Sequence, residues 1–193
     1  MSAREDILKA IAGNKPASAA LPAISFDELI QYADVLAQFK TVLQSIGGVA
    51  EEIADFDALK KEIAIKKETG EWVINRIEAL GPLDAVDNAS ATQLEKLDVA
   101  YIQGTLAVAE NGCIWLYESQ MGNRIVPFIC QHLVIVVDAK NIVPTMHHAY
   151  QQLDTAKEGF GVFLAGPSKT ADIEQSLVIG AHGARSLRVF LLR

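Results

Sequence analysis

The chain has 193 residues, of which 50% are hydrophobic and 21% are charged, so it can bury a sizeable core and is not expected to be disordered. Its formal net charge of −7 argues against a nucleic-acid binder and against binding to an anionic membrane, since both need a basic face. No apolar run approaches the roughly 20 residues that span a bilayer, and the N-terminal residues lack a signal-peptide core, so we expect a cytoplasmic protein.

The first 22 residues are predicted to form a helix and a linker. Ser2 and Glu5 have the spacing of a capping box, and the helix should end at Gly13. Residues 15–22, KPASAALP, show no periodicity. We therefore divide the chain into an N-terminal helical segment with its linker, 1–22, and a single α/β domain, 23–193.

Capping residues predict the first helices of this domain. Ser25 and Glu28 form a second capping box, which predicts a long amphipathic helix that ends at Ile46. Asp55 is expected to cap a helix over residues 56–67.

Apolar runs predict strands, most of them in the second half of the chain. They cover residues 49–53, 72–74, 99–102, 105–109, 113–117, 133–137, 162–165 and 187–192. The Asn111-Gly112 pair predicts a hairpin, and the β-branched run 133–137 predicts a central strand buried on both faces. Asn141 is expected to cap a helix over residues 142–153. Strands that alternate with helices predict an α/β fold with a mixed, mainly parallel sheet flanked by helices.

The most informative stretch is residues 159–183, GFGVFLAGPSKTADIEQSLVIGAHG. Gly166-Pro167 ends an apolar strand, and Ser168 is expected to cap a helix that begins at Lys169. A strand that turns into a helix N-terminus can bind an anion through free backbone N–H groups and the helix dipole.

Two further features of this stretch favour an anion site. Lys169 and Thr170 add a cation and a hydroxyl, and Gly183 ends a second glycine-rich turn that carries His182. The alternative is a structural turn, in which Asp172 only complements the helix dipole and His182 only bonds to a carbonyl.

Three other polar residues are candidates. Glu110 stands where a buried strand emerges, so it could be a base or nucleophile, or only a turn acid bonded to backbone amides. Arg124 ends the polar loop 118–124 and could clamp a carboxylate or phosphate, or lie exposed on a rim. His132 opens the next strand, where it either packs or borders a site.

The motifs for metals and nucleotides are missing. Cys113 and Cys130 have no CxxC spacing, fit a reduced chain, and cannot supply the four thiolates of a usual iron–sulfur cluster. The adjacent His147 and His148 point to different sides of a helix and are no metal pair. GPSKT lacks the spacing of a phosphate-binding P-loop, and there is no GxGxxG.

The segment AVAENGC at residues 107–113, together with Arg124, His132-Leu133 and GPSKTADIE…GAHG, resembles the LUD-domain family, which includes lactate utilization protein C. The resemblance covers roughly residues 99–193. Asn111 and Cys113 replace the hydroxyl residues that are usual there, and Ala184 replaces a proline.

The resemblance implies a fold like that of ribose-5-phosphate isomerase, glucosamine-6-phosphate deaminase and the coenzyme A transferases. It also implies an accessory subunit of an iron–sulfur L-lactate-oxidising system, which binds a small anionic ligand while partner proteins hold the clusters and this chain holds no cofactor or metal. The alternatives are a stand-alone enzyme on a phosphosugar, acyl-coenzyme A or folate-type metabolite, or a non-catalytic ligand sensor. A homo-oligomer is left open.

The residues predicted to form a site fall into two groups, catalytic and ligand-binding. The candidate catalytic residues are Glu110 and His182. The candidate ligand-binding residues are Gly166, Ser168, Lys169, Thr170, Asp172, Gly183, Arg124 and His132.

Overall fold

A computed structural model describes residues 2–171 and 177–193. Within these ranges the α-helices are α1 (Ala3–Gly13), α2 (Val35–Ser45), α3 (Asp57–Glu68), α4 (Ala91–Leu94), α5 (Glu118–Met121), α6 (Val126–Ile129) and α7 (Met146–Gln152). The strands are β1 (Val49–Ile53), β2 (Val73–Arg76), β3 (Val99–Gln103), β4 (Leu106–Val108), β5 (Ile114–Tyr117), β6 (His132–Asp138), β7 (Ile142–Val143), β8 (Gly161–Leu164), β9 (Lys169–Ala171), β10 (Leu177–Ile179) and β11 (Ser186–Leu192).

The main sheet has five parallel strands in the order β1-β11-β6-β3-β2. Strand β6 is in the middle, and its five residues from Leu133 to Val137 are all buried. A strand covered on both faces needs apolar side chains at every position, which is why this run does not alternate. The predicted central strand is confirmed.

A second sheet has the order β7-β4-β5-β8. Strands β4 and β5 are antiparallel, with Leu106 opposite Trp115, and Gly112 in the turn between them has a φ of 70°. Strand β8 pairs with the other side of β5, where Leu164 lies opposite Ile114. The predicted hairpin is confirmed, and the mixed, mainly parallel α/β architecture holds for the two sheets together.

The sheets pack face to face, and helices cover their outer faces. Ile135 of β6 and Ile114 of β5 share one buried cluster with Leu43 of α2. On the other face of the main sheet, Leu59 of α3 packs in a cluster with Val134. Alternate residues of β6 therefore serve two different cores, as the twofold period of a strand requires.

Helix α7 covers the outer face of the second sheet. Its Ala149 packs in a cluster with Trp115 of β5. No helix among the described residues is long and apolar enough to cross a membrane.

Helix α1 begins at the predicted capping box. The Ser2 amide donates to Glu5 at 2.7 Å, and the Glu5 amide donates to the Ser2 hydroxyl at 3.4 Å. None of its residues is buried, and Ile7, Leu8 and Ile11 are each at least half exposed.

The predicted start of the long helix at Ser25 is wrong, whereas its second half is confirmed as α2, with Ile46 directly after its last residue. Residues Phe26–Glu28 form only one 3-10 turn, and the Ser25 side chain makes no capping bond. Helix α2 begins after Asp34, whose carboxylate accepts from the Ala37 amide at 2.9 Å. Asp34 satisfies a free amide of the first turn, so the helix starts there.

The predicted start of the next helix, after Asn141, is also wrong, whereas its later part is confirmed as α7. Ile142 and Val143 form β7, which pairs with β4, and α7 begins only after Thr145. Pro144 disfavours helical backbone at the residue before it, so Val143 stays extended. The Asn141 side chain donates instead to the Thr105 carbonyl at 3.1 Å.

The helix predicted to begin at Lys169 is wrong as well. Lys169–Ala171 form β9, and Thr170 lies opposite Val178 in the antiparallel strand β10. Ser168 is already in this hairpin, because its carbonyl accepts from the Gly180 amide at 3.0 Å. The pairing of β9 with β10, which follows it closely in the sequence, outweighs the local preference of Ser168 for a helix cap. Asp172 lies outside the described residues.

Candidate functional site

A cavity of about 290 Å³ lies at the amino-terminal edge of the main sheet. The start of β6, helix α6, the turn between β8 and β9, and the segment before β11 enclose it. Its lining includes five of the residues that the sequence predicted, namely Gly166, Ser168, Lys169, His182 and Gly183. The structure therefore brings together half of the predicted site residues.

Close backbone packing shapes this cavity. Gly166 has a φ of 72°, and a Cβ atom there would lie 2.8 Å from the Ile46 carbonyl oxygen at the end of α2. A Cβ atom at Gly183 would lie 2.9 Å from the Ser168 Cβ. Both positions need glycine, the first for its backbone conformation and the second for space.

Backbone hydrogen bonds hold the two walls together. The Ser168 amide donates to the Ala184 carbonyl at 2.9 Å, and the Arg185 amide donates to the Gln131 carbonyl at 2.8 Å. These bonds fix the segment that carries His182 against the turn that carries Ser168. Ala184, which replaces the usual proline, is buried and keeps the carbonyl that this contact needs.

The polar groups of the cavity suit an anion. Lys169 and His182 are exposed, and Ser168 is half-buried. The side chain of Lys169 packs against Gly47. A Cβ atom added at Gly47 would lie 3.5 Å from Lys169 Cε. Ser168, Lys169 and His182 thus line the same space. A hydroxyl, an ammonium and an imidazole can all donate hydrogen bonds to a carboxylate or phosphate. No helix begins at Lys169, so the predicted helix N-terminus is not part of this cavity.

Glu110 lies outside this cavity and binds a helix. Its Oε2 accepts from the Met146 amide at 2.9 Å, in the first turn of α7, and its own amide donates to the Pro144 carbonyl at 3.0 Å. The Glu110 turn and the Gly166 turn both lie next to Ile46, since Cβ atoms at Gly112 and Gly166 would each be within 3.2 Å of this residue.

We expect Glu110→Ala to lower the free energy of unfolding by about 0.5–1 kcal/mol, because the Met146 amide loses its acceptor. Glu110→Gln should cost less, since its side-chain oxygen can still accept. Urea unfolding of the three proteins measures the difference. A wild-type stability for Glu110→Ala would show that this bond contributes nothing.

Arg124 also lies outside the cavity. Its Nη2 donates to Glu118 Oε2 at 3.0 Å, and its guanidinium stacks over the Phe160 ring, 4.9 Å from the centroid. The hydrogen bond to Glu118 raises the pKa of Arg124. Glu118 belongs to α5, so the predicted polar loop begins with a short helix, and Arg124 ties it to the chain before β8.

His132 faces the other side of the main sheet. Its Nδ1 lies 2.8 Å from the Ser186 hydroxyl, and both side chains border a separate cavity of about 180 Å³ together with Glu62 and Arg188. Its neighbour Leu133 lines both this cavity and the 290 Å³ cavity. His132 is therefore adjacent to a residue of the candidate site but is not itself in its lining.

The two residues that replace hydroxyl residues stabilise the hairpin turn. Asn111 Oδ1 accepts from the Cys113 amide at 3.1 Å. Burial raises the pKa of the Cys113 thiol to about 12, and burial does the same at Cys130. In residues 2–171 and 177–193 no group of three or more His, Cys, Asp or Glu side chains is arranged to hold a metal ion.

Sequence reasoning missed Arg76. It ends β2 and lines a cavity of about 510 Å³ at the carboxyl-terminal edge of the main sheet. A charged residue at the end of a short strand was the available signal, because open α/β sheets bind ligands at this edge.

Comparisons with known proteins agree with the fold. The LUD domain family model matches residues 23–192. A crystal structure of a DUF162 family protein from Deinococcus radiodurans superposes on 86% of this chain and on all of that chain, with a TM-score of 0.64 and 21% sequence identity. At this identity the likeness shows a shared fold.

Curated relatives match part of the chain. Lactate utilization protein C of Geobacillus thermodenitrificans is 30% identical over 102 residues, which are 50% of this chain and 42% of that protein. The protein of the same name from Bacillus pumilus is 31% identical over 108 residues, 50% of this chain and 45% of that protein. The matches span less than half the length of these relatives. On the match over residues 23–192, this chain belongs to the LUD-domain family.

Proposed function

We propose that this protein acts in lactate utilization as an accessory subunit of an iron–sulfur L-lactate-oxidising system, in which it binds a small anionic ligand. The names of the relatives support the process. The cavity bordered by Ser168, Lys169 and His182 supports the ligand class.

The observation that carries the proposal is the combination of size and charge in this cavity. A volume of about 290 Å³ is near the lower limit of the roughly 300–1,000 Å³ of ligand pockets. A small carboxylate such as lactate or pyruvate suits it better than coenzyme A or a folate. The ammonium of Lys169 offers the opposite charge, and the rigid turns around it would hold the donors in place before the ligand arrives.

The redox centres are proposed to lie on partner proteins. A thiolate is the form of cysteine that binds iron, and burial holds the pKa of both Cys113 and Cys130 near 12. This supports a division of labour in which the present chain binds and positions a metabolite while cysteine-rich partners carry electrons.

Deletion of the encoding gene is expected to abolish growth on L-lactate as the sole carbon source and to leave growth on glucose unchanged. A tagged copy should restore growth on lactate and co-purify with iron–sulfur proteins. Normal growth of the deletion strain on lactate would refute the proposed process. Restored growth without such partners would refute the accessory role.

Thermal unfolding with added L-lactate and pyruvate tests the ligand class. A ligand at a hundredfold excess over its Kd stabilises the native state by about 2.7 kcal/mol, which raises the Tm of a chain of this size by roughly 5–11 °C. Coenzyme A should give a smaller shift. A larger shift with coenzyme A would favour an acyl-coenzyme A enzyme instead.

A further inference from the structure

A second polar cavity lies at the opposite edge of the main sheet. Its volume is about 510 Å³, and it is formed by the last residues of β2 and β3, the turn after β2, and α5. The polar residues at its wall include Arg76, Gln103, Ser119 and Gln120. The carboxyl ends of parallel strands are where open α/β sheets bind ligands.

The guanidinium of Arg76 has only neutral partners in the part of the chain that the structure describes. Its Nη1 donates to the Asp84 carbonyl at 2.8 Å and its Nη2 to the Ser119 carbonyl at 3.2 Å. The Nε is buried without a hydrogen-bond partner among the described residues. The ion pairs found there do not include Arg76.

This arrangement leaves charge and donors for a ligand. A guanidinium has five N–H groups. Two of these N–H groups donate to the carbonyls, and a third is on the buried Nε. One N–H group therefore remains on each of Nη1 and Nη2. A partly buried cation normally has an anionic partner, and here Arg76 lines a cavity.

The position of Arg76 is built into the fold. Its guanidinium lies against Gly122, where a Cβ atom would be 2.6 Å from Arg76 Cζ. The turn beyond it is fixed by Asn75, which is 4% exposed. The Asn75 side chain donates to the carbonyls of Gly81 and Pro82 and accepts from the Ile77 amide. An arginine held in this way is preorganised for an oxyanion.

We propose that this cavity is a second ligand site, independent of the Lys169 cavity, which binds the carboxylate or phosphate of a small hydroxylated metabolite. Arg76 binds the oxyanion. Gln103, whose amide nitrogen is held by the Val136 carbonyl at 2.9 Å, still has its amide oxygen as an acceptor for a ligand hydroxyl. Glu78 also lines the cavity, and its carboxylate can accept a hydrogen bond from a second ligand hydroxyl.

The test is an NMR titration of the full chain with inorganic phosphate and, separately, with acetate. We expect either probe to shift the amide resonances of residues 76–79 and 103. Tighter binding of phosphate would indicate a phosphate ester, and tighter binding of acetate a carboxylate. The absence of shifts at these residues with both probes would overturn the site.

Matched variants at Ala79 test the location without disturbing the bonds of Arg76. Ala79 is exposed and lines the cavity. Ala79→Glu adds a negative charge to the wall and should weaken binding of phosphate by about tenfold, whereas the neutral Ala79→Gln should change it by less than about twofold. Equal affinities of the two variants would overturn the proposal.

A third variant separates this site from the proposed function. Lys169→Met should remove shifts at residues 166–169 and leave those at residues 76–79 in place. Loss of both sets in Lys169→Met would show that one site, and not two, binds the probe.

Discussion

In Lys169→Met, the stabilisation of the protein by L-lactate or pyruvate is expected to fall steeply. Lys169 is the cationic residue in the lining of the 290 Å³ cavity, and a hydrogen bond to a charged group contributes about 1.5–3 kcal/mol. Its loss should weaken binding by at least about tenfold. Methionine keeps an unbranched stem, so the contact with Gly47 should survive and the ligand-free protein should keep its stability.

The matched control is Lys60→Met, which removes the same charge from an exposed position on α3, away from the cavity. If Lys169 attracted the ligand only through the net charge of the protein, both variants would bind the ligand more weakly than the wild type. Added salt would then remove the difference in affinity between the wild type and the variants. We expect only Lys169→Met to lose it. In a complemented deletion strain, Lys169→Met should fail to restore growth on lactate, while Lys60→Met should restore it. Growth of the Lys169→Met strain at the wild-type rate would exclude Lys169 from the site.

Patterns fixed by local chemistry predicted most of the strands. The β6 run could be identified because a strand buried on both faces has no polar position. The β4–β5 hairpin could be identified because Asn111-Gly112 suits a two-residue turn. Strand order could not be deduced, since β1 pairs with β11, which is the last strand of the chain.

Capping residues were a poorer guide to helices. Ser2 does cap a helix, but Ser25 and Ser168 do not. A cap contributes only about 1 kcal/mol, so pairing with another segment can outweigh it. At Ser168 the competing segment is β10, and the serine backbone is held by Gly180 and Ala184 instead.

The candidate site was predictable where its residues lie in two nearby turns, and not elsewhere. Ser168 and His182 are joined by a hairpin, so their proximity follows from short chain connections. The prediction for His132 was wrong because alternate residues of β6 face two different cores. The sequence does not say which of the two faces borders the candidate site. Arg76 was missed because its cavity needs β2 and β3 to be neighbours.

Gly104→Ala is expected to lower the free energy of unfolding by about 2–3 kcal/mol and the Tm by roughly 4–12 °C. Gly104 joins β3 of the main sheet to β4 of the second sheet. A Cβ atom there would lie 2.4 Å from Val137 Cγ2 and 2.7 Å from Ile114 Cγ2. Since these two side chains belong to different sheets, an added methyl group must push the sheets apart.

Two comparisons show whether this crowding is the cause. Gly159→Ala is the control for the change of glycine to alanine, because its nearest neighbour, Arg124 Nη2, would be 4.0 Å away. It should leave the Tm unchanged or slightly raised. Val137→Ala removes the methyl group that clashes, so it should destabilise the Gly104→Ala protein less than it destabilises the wild type. Additive effects in this double-mutant cycle would show that the destabilisation does not come from the contact with Val137.

A coupling of the predicted sign would show that the spacing of the two sheets is set at Gly104, where the chain passes from one sheet to the other. The amino-terminal cavity would then depend on the same spacing, because Leu133 of the main sheet and Leu164 of the second sheet both line it.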